Sequence, residues 1–143
     1  MSPAPTLLVD TSVAVALVVA DHAAHRAVVE GLEGRRLGLS GHAAFESYSV
    51  LTRLPPPARR DPGTVARLLV ENFPATVHLE PARAARLVAD LPILGVAGGA
   101  VYDALVGAAA AASGLTLCTR DVRALDTYRA VGAEVMVIGG AAT

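Results

Sequence analysis

Short apolar runs alternate with helix-like segments along this chain, and this alternation restricts the possible folds more than any other feature. Five runs have the length and composition of buried strands, namely "TLLVD" (6–10), "RLGLS" (36–40), "ATVHL" (75–79), "LTLC" (115–118) and "EVMVI" (134–138). Strands that are separated by helices pair in parallel and carry helices on both faces. The sequence therefore predicts an α/β fold with a parallel sheet of about five strands.

Seven segments between these runs have helical character, and proline or glycine marks several of their ends. A run of three prolines at 55–57 ends one helix, Pro81 suits the first turn of another, and Gly114 follows a third. The predicted helices cover residues 11–22, 22–33, 42–54, 62–73, 81–91, 101–112 and 122–131.

The length and composition indicate a single folded domain. The chain has 143 residues, which suffices for one domain, 1–143, and we expect its ordered core at about 6–138. Apolar residues make up 53% and charged residues 17%, which excludes a disordered protein. This apolar content exceeds what so small a core requires, so we expect part of it in partner interfaces.

Charge and cysteine content exclude several classes of protein. A net charge of −1 does not favour a protein that binds nucleic acid passively through basic residues. Cys118 is the sole cysteine, which excludes an internal disulfide and fits a reducing cytoplasm. The longest apolar stretch, 93–118, is interrupted at Gly98 and Gly114 and is too short on either side to span a bilayer. We therefore predict a cytoplasmic protein without a membrane segment.

Two acidic residues follow predicted strands. Asp10 ends the first strand and Asp121 comes soon after the fourth. Either carboxylate could cap the helix that follows it, and capping does not exclude a second role. Parallel sheets bind ligands beyond the carboxyl ends of their strands, so both side chains are expected at that edge.

Two further acids lie on unexpectedly apolar helix faces. The positions three and four residues from Glu46 and from Asp103 are mostly small or apolar, so both carboxylates are expected to face the protein. The remaining acids occupy helix ends, turns or solvated faces. Among them, Asp126 has Arg123 and Arg129 three residues to either side, the spacing of surface ion pairs.

Four converging carboxylates would require a counter-charge. Two carboxylates about 5 Å apart repel by roughly 3 kcal/mol at an effective dielectric near 20. Such a site takes up protons or a cation, and oxygen-only ligands favour Mg²⁺ or Mn²⁺. Carboxylate-bound Mg²⁺ is suited to hydrolysis of phosphate esters. The hydroxyls of Thr11, Ser12 and Thr119 are candidates for orienting the carboxylates or waters around the ion.

The acids in their sequence contexts resemble the PIN-domain ribonucleases, and within them the VapC-type toxins of bacterial toxin–antitoxin pairs. The resemblance covers nearly the whole chain, from "LLVDTSV" to "VMVI". The segments that carry it are "VDTSV", "AFESYSVLTRLP", "GGAVYDALVGAAAAASG" and "LTLCTRD", with Asp10, Glu46, Asp103 and Asp121 respectively. Their order and spacing together make the match strong.

The resemblance implies a metal-dependent endoribonuclease. Asp10 and Asp103 would be the principal ligands of one or two Mg²⁺ or Mn²⁺ ions and Asp121 a further ligand. Glu46 would bind an ion or orient the attacking water. The family further implies a homodimer and a small VapB-like antitoxin, assembled as a heterotetramer or larger complex that contacts operator DNA only through the antitoxin.

Other interpretations remain open at the level of sequence. A non-catalytic PIN-like module would bind a partner or DNA without cleaving RNA. A phosphatase or phospho-acceptor domain normally places a lysine near the phosphate, and all 12 basic residues here are arginine. Arg120 is a candidate contact to substrate phosphate or a partner of an acid. Phe45, Tyr48 and Tyr102 are predicted as core or interface residues, because 3% aromatic content is low for a base-binding platform.

Overall fold

A parallel sheet forms the centre of the computed structural model, which describes residues 5–139. Its four strands lie in the order β2-β1-β3-β4, and every neighbouring pair is parallel. The strands are β1 (Thr6–Val9), β2 (Arg36–Leu39), β3 (Leu117–Thr119) and β4 (Val135–Val137). The predicted α/β architecture with a parallel sheet is thereby confirmed.

Helices connect the strands and cover both faces of the sheet. The helices are α1 (Thr11–Val18), α2 (His25–Leu32), α3 (Ala43–Thr52), α4 (Pro62–Asn72), α5 (Pro81–Asp90), α6 (Ala100–Ser113) and α7 (Leu125–Ala130), with a 3-10 turn at Val122–Ala124 before α7. Successive side chains of a strand point to opposite faces. Accordingly, Leu7 and Val9 pack among α1–α4, whereas Leu8 packs against α6 and α7.

The predicted third strand, 75–79, is not a full strand. The segment runs beside β2, where the backbone amides of Ala75 and Val77 donate to Leu37 and Leu39. The Leu39 amide donates to the Thr76 hydroxyl instead of a backbone carbonyl, at 2.9 Å. The ladder is therefore reduced to a single bridge between Ser40 and Val77.

Gly107 allows two helices to approach closely. A Cβ at this position in α6 would lie 2.6 Å from a methyl group of Val131 and 3.1 Å from the Cα of Tyr128. Any larger residue would push α7 away from α6. The glycine thus sets the distance between the two helices and the depth at which the Tyr128 ring is inserted.

The strand order places a crevice between β1 and β3. The chain passes from β1 to β2 on one side, whereas β3 lies on the other side of β1. Ligands of open α/β sheets bind where the strand order reverses in this way. Val9 is paired with Cys118, so the residues that follow them, Asp10 and Thr119, are neighbours at the carboxyl edge.

Candidate active site

Asp10 is the buried centre of the crevice. It is 3% exposed and caps α1 by accepting a hydrogen bond from the Val13 amide at 3.2 Å. The hydroxyls of Ser12, at 2.6 Å, Thr119, and Tyr128, at 2.8 Å, also donate to its carboxylate. Burial raises the pKa of Asp10 above its ordinary value, and these four hydrogen bonds only partly offset that effect.

Two of these hydroxyls connect Asp10 to the loop after β3. The Ser12 hydroxyl accepts from the Arg120 amide, and the Thr119 hydroxyl accepts from the Asp121 amide, each at 2.9 Å. Each hydroxyl therefore donates to Asp10 and accepts from the loop. This arrangement holds the end of β1 and the Asp121 loop in fixed relative positions.

Tyr128 was not among the residues singled out from the sequence. Its side chain is 2% exposed and belongs to α7, yet its hydroxyl reaches the carboxylate at the end of β1. Ala124, Tyr128 and Val131 share one face of the predicted helix 122–131, which indicates burial of the tyrosine. A buried tyrosine hydroxyl needs a partner, but the sequence pattern does not identify which.

Glu46 lies on the surface. We predicted that its carboxylate faces the protein interior, but the residue is exposed, and this prediction is wrong. The buried side chains of α3 are instead those of Ala43, Ser47 and Leu51. The Glu46 carboxylate accepts a hydrogen bond from the Thr11 hydroxyl at 2.6 Å, so Thr11 orients it from the first turn of α1.

The pKa of Asp103 is affected by the charges of the other three acids. It lies partly buried in the first turn of α6. Its pKa is raised first by burial and then by the negative charges of Asp121, Glu46 and Asp10, whereas Arg123 lowers it. Acids from three other segments of the chain therefore act on Asp103.

Asp121 is held by the residues that follow it. Its carboxylate accepts from the Arg123 amide at 3.0 Å and from the Arg123 guanidinium at 3.3 Å. The Arg123 side chain is 90% exposed, so this ion pair contributes little stability. Spacing alone suggested Asp126 as a partner of Arg123, but the structure pairs Arg123 with Asp121.

Arg120 does not direct its charge toward the acids. Its Nε and Cδ lie about 3 Å from where a Cβ of Gly139 would be. Its charge also lowers the pKa of His22, after the larger effect of burial. The Arg120 amide, not its side chain, belongs to the network around Asp10. A contact between this side chain and substrate phosphate remains a prediction.

The four carboxylates match the ligand chemistry of a hard divalent ion. All donate oxygen, and the repulsion acting on Asp103 is the kind that a bound cation relieves. Within residues 5–139, no three Asp, Glu, His or Cys side chains already lie close enough together to hold an ion. Ion binding would therefore require rearrangement. Asp10 would have to exchange one of its four hydrogen bonds for the ion. Glu46 and Asp121 would have to release Thr11 and Arg123.

Comparison with known proteins identifies the family of this chain. The PIN domain model matches residues 7–130, which include all four acids and Tyr128. The chain belongs to the PIN-domain family. Ribonuclease VapC27 of Mycobacterium tuberculosis is 50% identical to this PIN protein over 133 residues, covering 93% of this chain and 97% of that protein.

Two further comparisons support the same family. Ribonuclease VapC40 of Mycobacterium tuberculosis is 45% identical over 130 residues, covering 90% of the PIN protein and 96% of the relative. VapBC2 from Rickettsia felis, solved with a promoter DNA fragment, superposes with a TM-score of 0.64 at 13% identity, over 93% of this chain and 98% of that one. The relatives identify a VapC-type PIN protein, and the solved structure supports the fold.

The fold contains no evident membrane segment in the part of the chain that the structure describes. No helix there is both long enough and apolar enough to cross a bilayer. The predicted interruption of the apolar stretch 93–118 is observed, since α6 ends at Ser113 and Gly114 adopts a left-handed conformation with φ of 69°.

Proposed function

We propose that this PIN protein is a Mg²⁺-dependent endoribonuclease, with Mn²⁺ able to replace Mg²⁺, and the toxin of a toxin–antitoxin pair. The observation that carries the proposal is the buried Asp10 at the carboxyl edge of the sheet, joined through Thr119 to the loop that carries Asp121. The pKa of Asp103 is raised by the charges of these acids and of Glu46, which supports its inclusion in the same group. Oxygen ligands with this charge fit a hard divalent ion. The ribonuclease names of relatives at 50% and 45% identity support RNA as the substrate.

Each of the four acids would have a role in binding the ion or in positioning the attacking water. Asp10, Asp103 and Asp121 would hold the ion, and Glu46 would bind it or orient the attacking water. When bound, such an ion polarises a phosphodiester and activates water for its hydrolysis. Ser12 and Thr119 keep Asp10 in one orientation, while the exposed Glu46 can turn toward substrate after release from Thr11.

The proposal includes protein partners. A VapB-like antitoxin would silence the enzyme, and the PIN protein would form a homodimer that reaches operator DNA only through the antitoxin. Exposed apolar side chains support such interfaces, among them Val70 at 73% and Ile93 at 83%. A largely apolar depression of about 460 Å³ between α3 and α4 has the character of a site for apolar side chains of a protein partner. A cytoplasmic location follows from the same proposal.

The test is cleavage of total RNA by purified, antitoxin-free protein. We expect cleavage with Mg²⁺ or Mn²⁺, none with a chelator, and none from Asp103→Asn. Asp126→Asn is the matched control, because it removes the same charge from an exposed acid of α7. Equal loss of activity in both variants, or intact RNA with the unaltered protein and either metal, would contradict the proposal.

A non-catalytic binding module is the second candidate. The absence of three metal-ligating side chains already within ligand distance, among residues 5–139, favours it. Calorimetric titration with Mn²⁺ distinguishes the two functions before any RNA is added. Binding that is lost in Asp103→Asn and retained in Asp126→Asn supports the nuclease, whereas unchanged weak binding in both supports the module.

A further inference from the structure

Two aromatic rings lie against each other between the helices that carry Glu46 and Asp103. The rings of His42 and Tyr102 have centroids 5.0 Å apart and planes inclined by 25°, which is a stacked arrangement. His42 is the residue before α3, and Tyr102 lies in the first turn of α6. We refer to these two side chains as the His42–Tyr102 pair.

The pair borders the four acids. His42 lies one helical turn before Glu46, so the two side chains leave the same side of the chain. Tyr102 directly precedes Asp103. Because the two stacked rings bring the start of α3 against the first turn of α6, the beginnings of these helices form one edge of the acidic crevice. A ligand group that stacks on the pair would therefore lie next to the phosphate that the acids bind.

Tyr102 is not a core residue. It is 53% exposed, although one face of its ring is covered by His42. We predicted a core or interface position for it from the low aromatic content of the chain, and the core position is wrong. Low content excludes an extended platform of many rings, but a single subsite needs only one supported ring.

The chemistry of the pair suits a nucleobase. Unpaired RNA bases are commonly held by stacking on tyrosine or histidine rings, and this contact tolerates any base because each has a flat π-face. The His42 ring covers one face of Tyr102, and a ring supported in this way loses less entropy when a base stacks on its other face. In the absence of metal, the neighbouring acids repel the phosphates of RNA. A contact between the protein and a base is therefore more favourable at this position than a contact to the RNA backbone.

We propose that the His42–Tyr102 pair is a stacking subsite for one unpaired base of the RNA, adjacent to the phosphodiester that is cleaved. This inference rests on the proposed function, since it assigns a further contact to the same substrate. The subsite fixes the position of the cleaved bond relative to a base, and it selects single-stranded over paired RNA.

The first experiment uses a short single-stranded RNA that carries 5-iodouridine, incubated in a chelator with the full-length protein. Irradiation links this base to aromatic side chains in contact with it. We expect the linked peptide to contain Tyr102 or His42. The matched control residue is Tyr48, which is 39% exposed and follows Glu46 by two residues, so it lies toward the other side of α3.

The second experiment compares variants for binding of the same RNA by fluorescence anisotropy. We expect Tyr102→Leu to raise the Kd roughly 10-fold, because one base–aromatic stack is lost. When this variant cleaves the RNA, we expect the cuts to fall at more positions than with the unaltered protein. Tyr102→Phe keeps the ring and should bind as the unaltered protein does, and so should Tyr48→Leu.

Three outcomes would overturn the subsite. In the first, the crosslinks lie only in other peptides. In the second, Tyr102→Leu binds the RNA as tightly as the unaltered protein does. In the third, Tyr102→Leu still binds RNA, but light scattering shows that its molecular mass has changed. The last would assign the pair to a protein interface. These outcomes are distinct from failure of the nuclease proposal, in which the unaltered protein leaves RNA intact with Mg²⁺ or Mn²⁺.

Discussion

At the scale of single residues, the environment of Asp10 differs from that of an ordinary helix cap. Its two carboxylate oxygens accept four hydrogen bonds, which is about as many as a carboxylate can receive. The donors come from α1, from β3 and from α7. The orientation of this one side chain is therefore determined by three separate parts of the fold.

Tyr128→Phe removes one of these donors and leaves the ring in place. We expect the free energy of unfolding to fall by about 1–2 kcal/mol, because a buried carboxylate loses a hydrogen bond. The Tyr128 hydroxyl also lowers the pKa of Asp10, so its removal should raise that pKa further. The acidic limb of the pH–rate profile should then move to higher pH.

Urea denaturation and a pH–rate profile measure these two effects of Tyr128→Phe. Tyr48→Phe is the control, since it removes a hydroxyl from a partly exposed ring. A stability and pH profile unchanged from the original protein would mean that the Tyr128 hydroxyl does not position Asp10.

Asp103→Asn removes the carboxylate that is most affected by its neighbours. The raised pKa of Asp103 means that its ionised form destabilises the metal-free fold. Stability associated with this group is present at low pH and is lost as pH rises through the raised pKa. We therefore expect Asp103→Asn to raise the metal-free Tm by roughly 2–4 °C at neutral pH.

The difference in Tm should decrease as the pH falls through the raised pKa of Asp103, because the carboxyl of the original protein then becomes neutral. Thermal melts in a chelator at several pH values measure it, with Asp126→Asn as the control for the loss of one surface charge. An equal or lower Tm for Asp103→Asn at neutral pH would remove the electrostatic basis of the site.

At the scale of helices and strands, Gly107 controls the position of Tyr128. Gly107→Ala introduces a methyl group 2.6 Å from Val131 and 3.1 Å from the Tyr128 Cα, so α7 must move outward. We expect a loss of about 1–3 kcal/mol in the free energy of unfolding, as for other overpacked positions. Cleavage should also decrease, because the Tyr128 hydroxyl moves with its helix.

Ala108→Gly is a suitable comparison for Gly107→Ala. It lies on the same helix at a half-buried position and lowers stability through helix propensity, by about 1 kcal/mol. A thermal melt and a cleavage assay on both variants separate the two effects. A loss of activity in Ala108→Gly as large as that in Gly107→Ala would show that stability alone accounts for the decrease.

The elements that the sequence predicted correctly are those with strong local patterns. Apolar runs gave the four strands, and proline and glycine gave helix ends such as Pro81 and Gly114. The segment 75–79 has the composition of a strand, but the Thr76 hydroxyl replaces a backbone acceptor there. Such a replacement depends on the neighbouring β2, so local composition could not predict it.

The same limit applies to the site. Strand ends predicted Asp10 and Asp121 at one edge, because parallel strands share the direction of their carboxyl ends. The sequence did not predict that Glu46 is exposed. The apolar pattern around it shows that one face of the helix is buried, but it does not show how far the helices that pack against that face extend. The Tyr128–Asp10 contact joins residues far apart in the chain and depends on the α6–α7 packing at Gly107.

At the scale of the whole molecule, activity should appear as toxicity. We expect expression of the protein in a bacterial host to arrest growth, and co-expression of a cognate antitoxin to restore it. Asp10→Ala should abolish the arrest, whereas Asp126→Ala should leave it unchanged. Growth curves with immunoblots for protein level measure this. Undiminished arrest by Asp10→Ala would count against a ribonuclease toxin that depends on these acids.

The hydrogen bonds that join Asp10 to Thr119 and Tyr128 also have a consequence during translation. Asp10 is synthesised 109 residues before Thr119 and 118 residues before Tyr128. A nascent polypeptide therefore cannot complete the hydrogen bonds around Asp10 until residue 128 has left the ribosome. If the protein acts as proposed, a fragment that ends before residue 119 lacks two of the donors to Asp10 and should not cleave RNA.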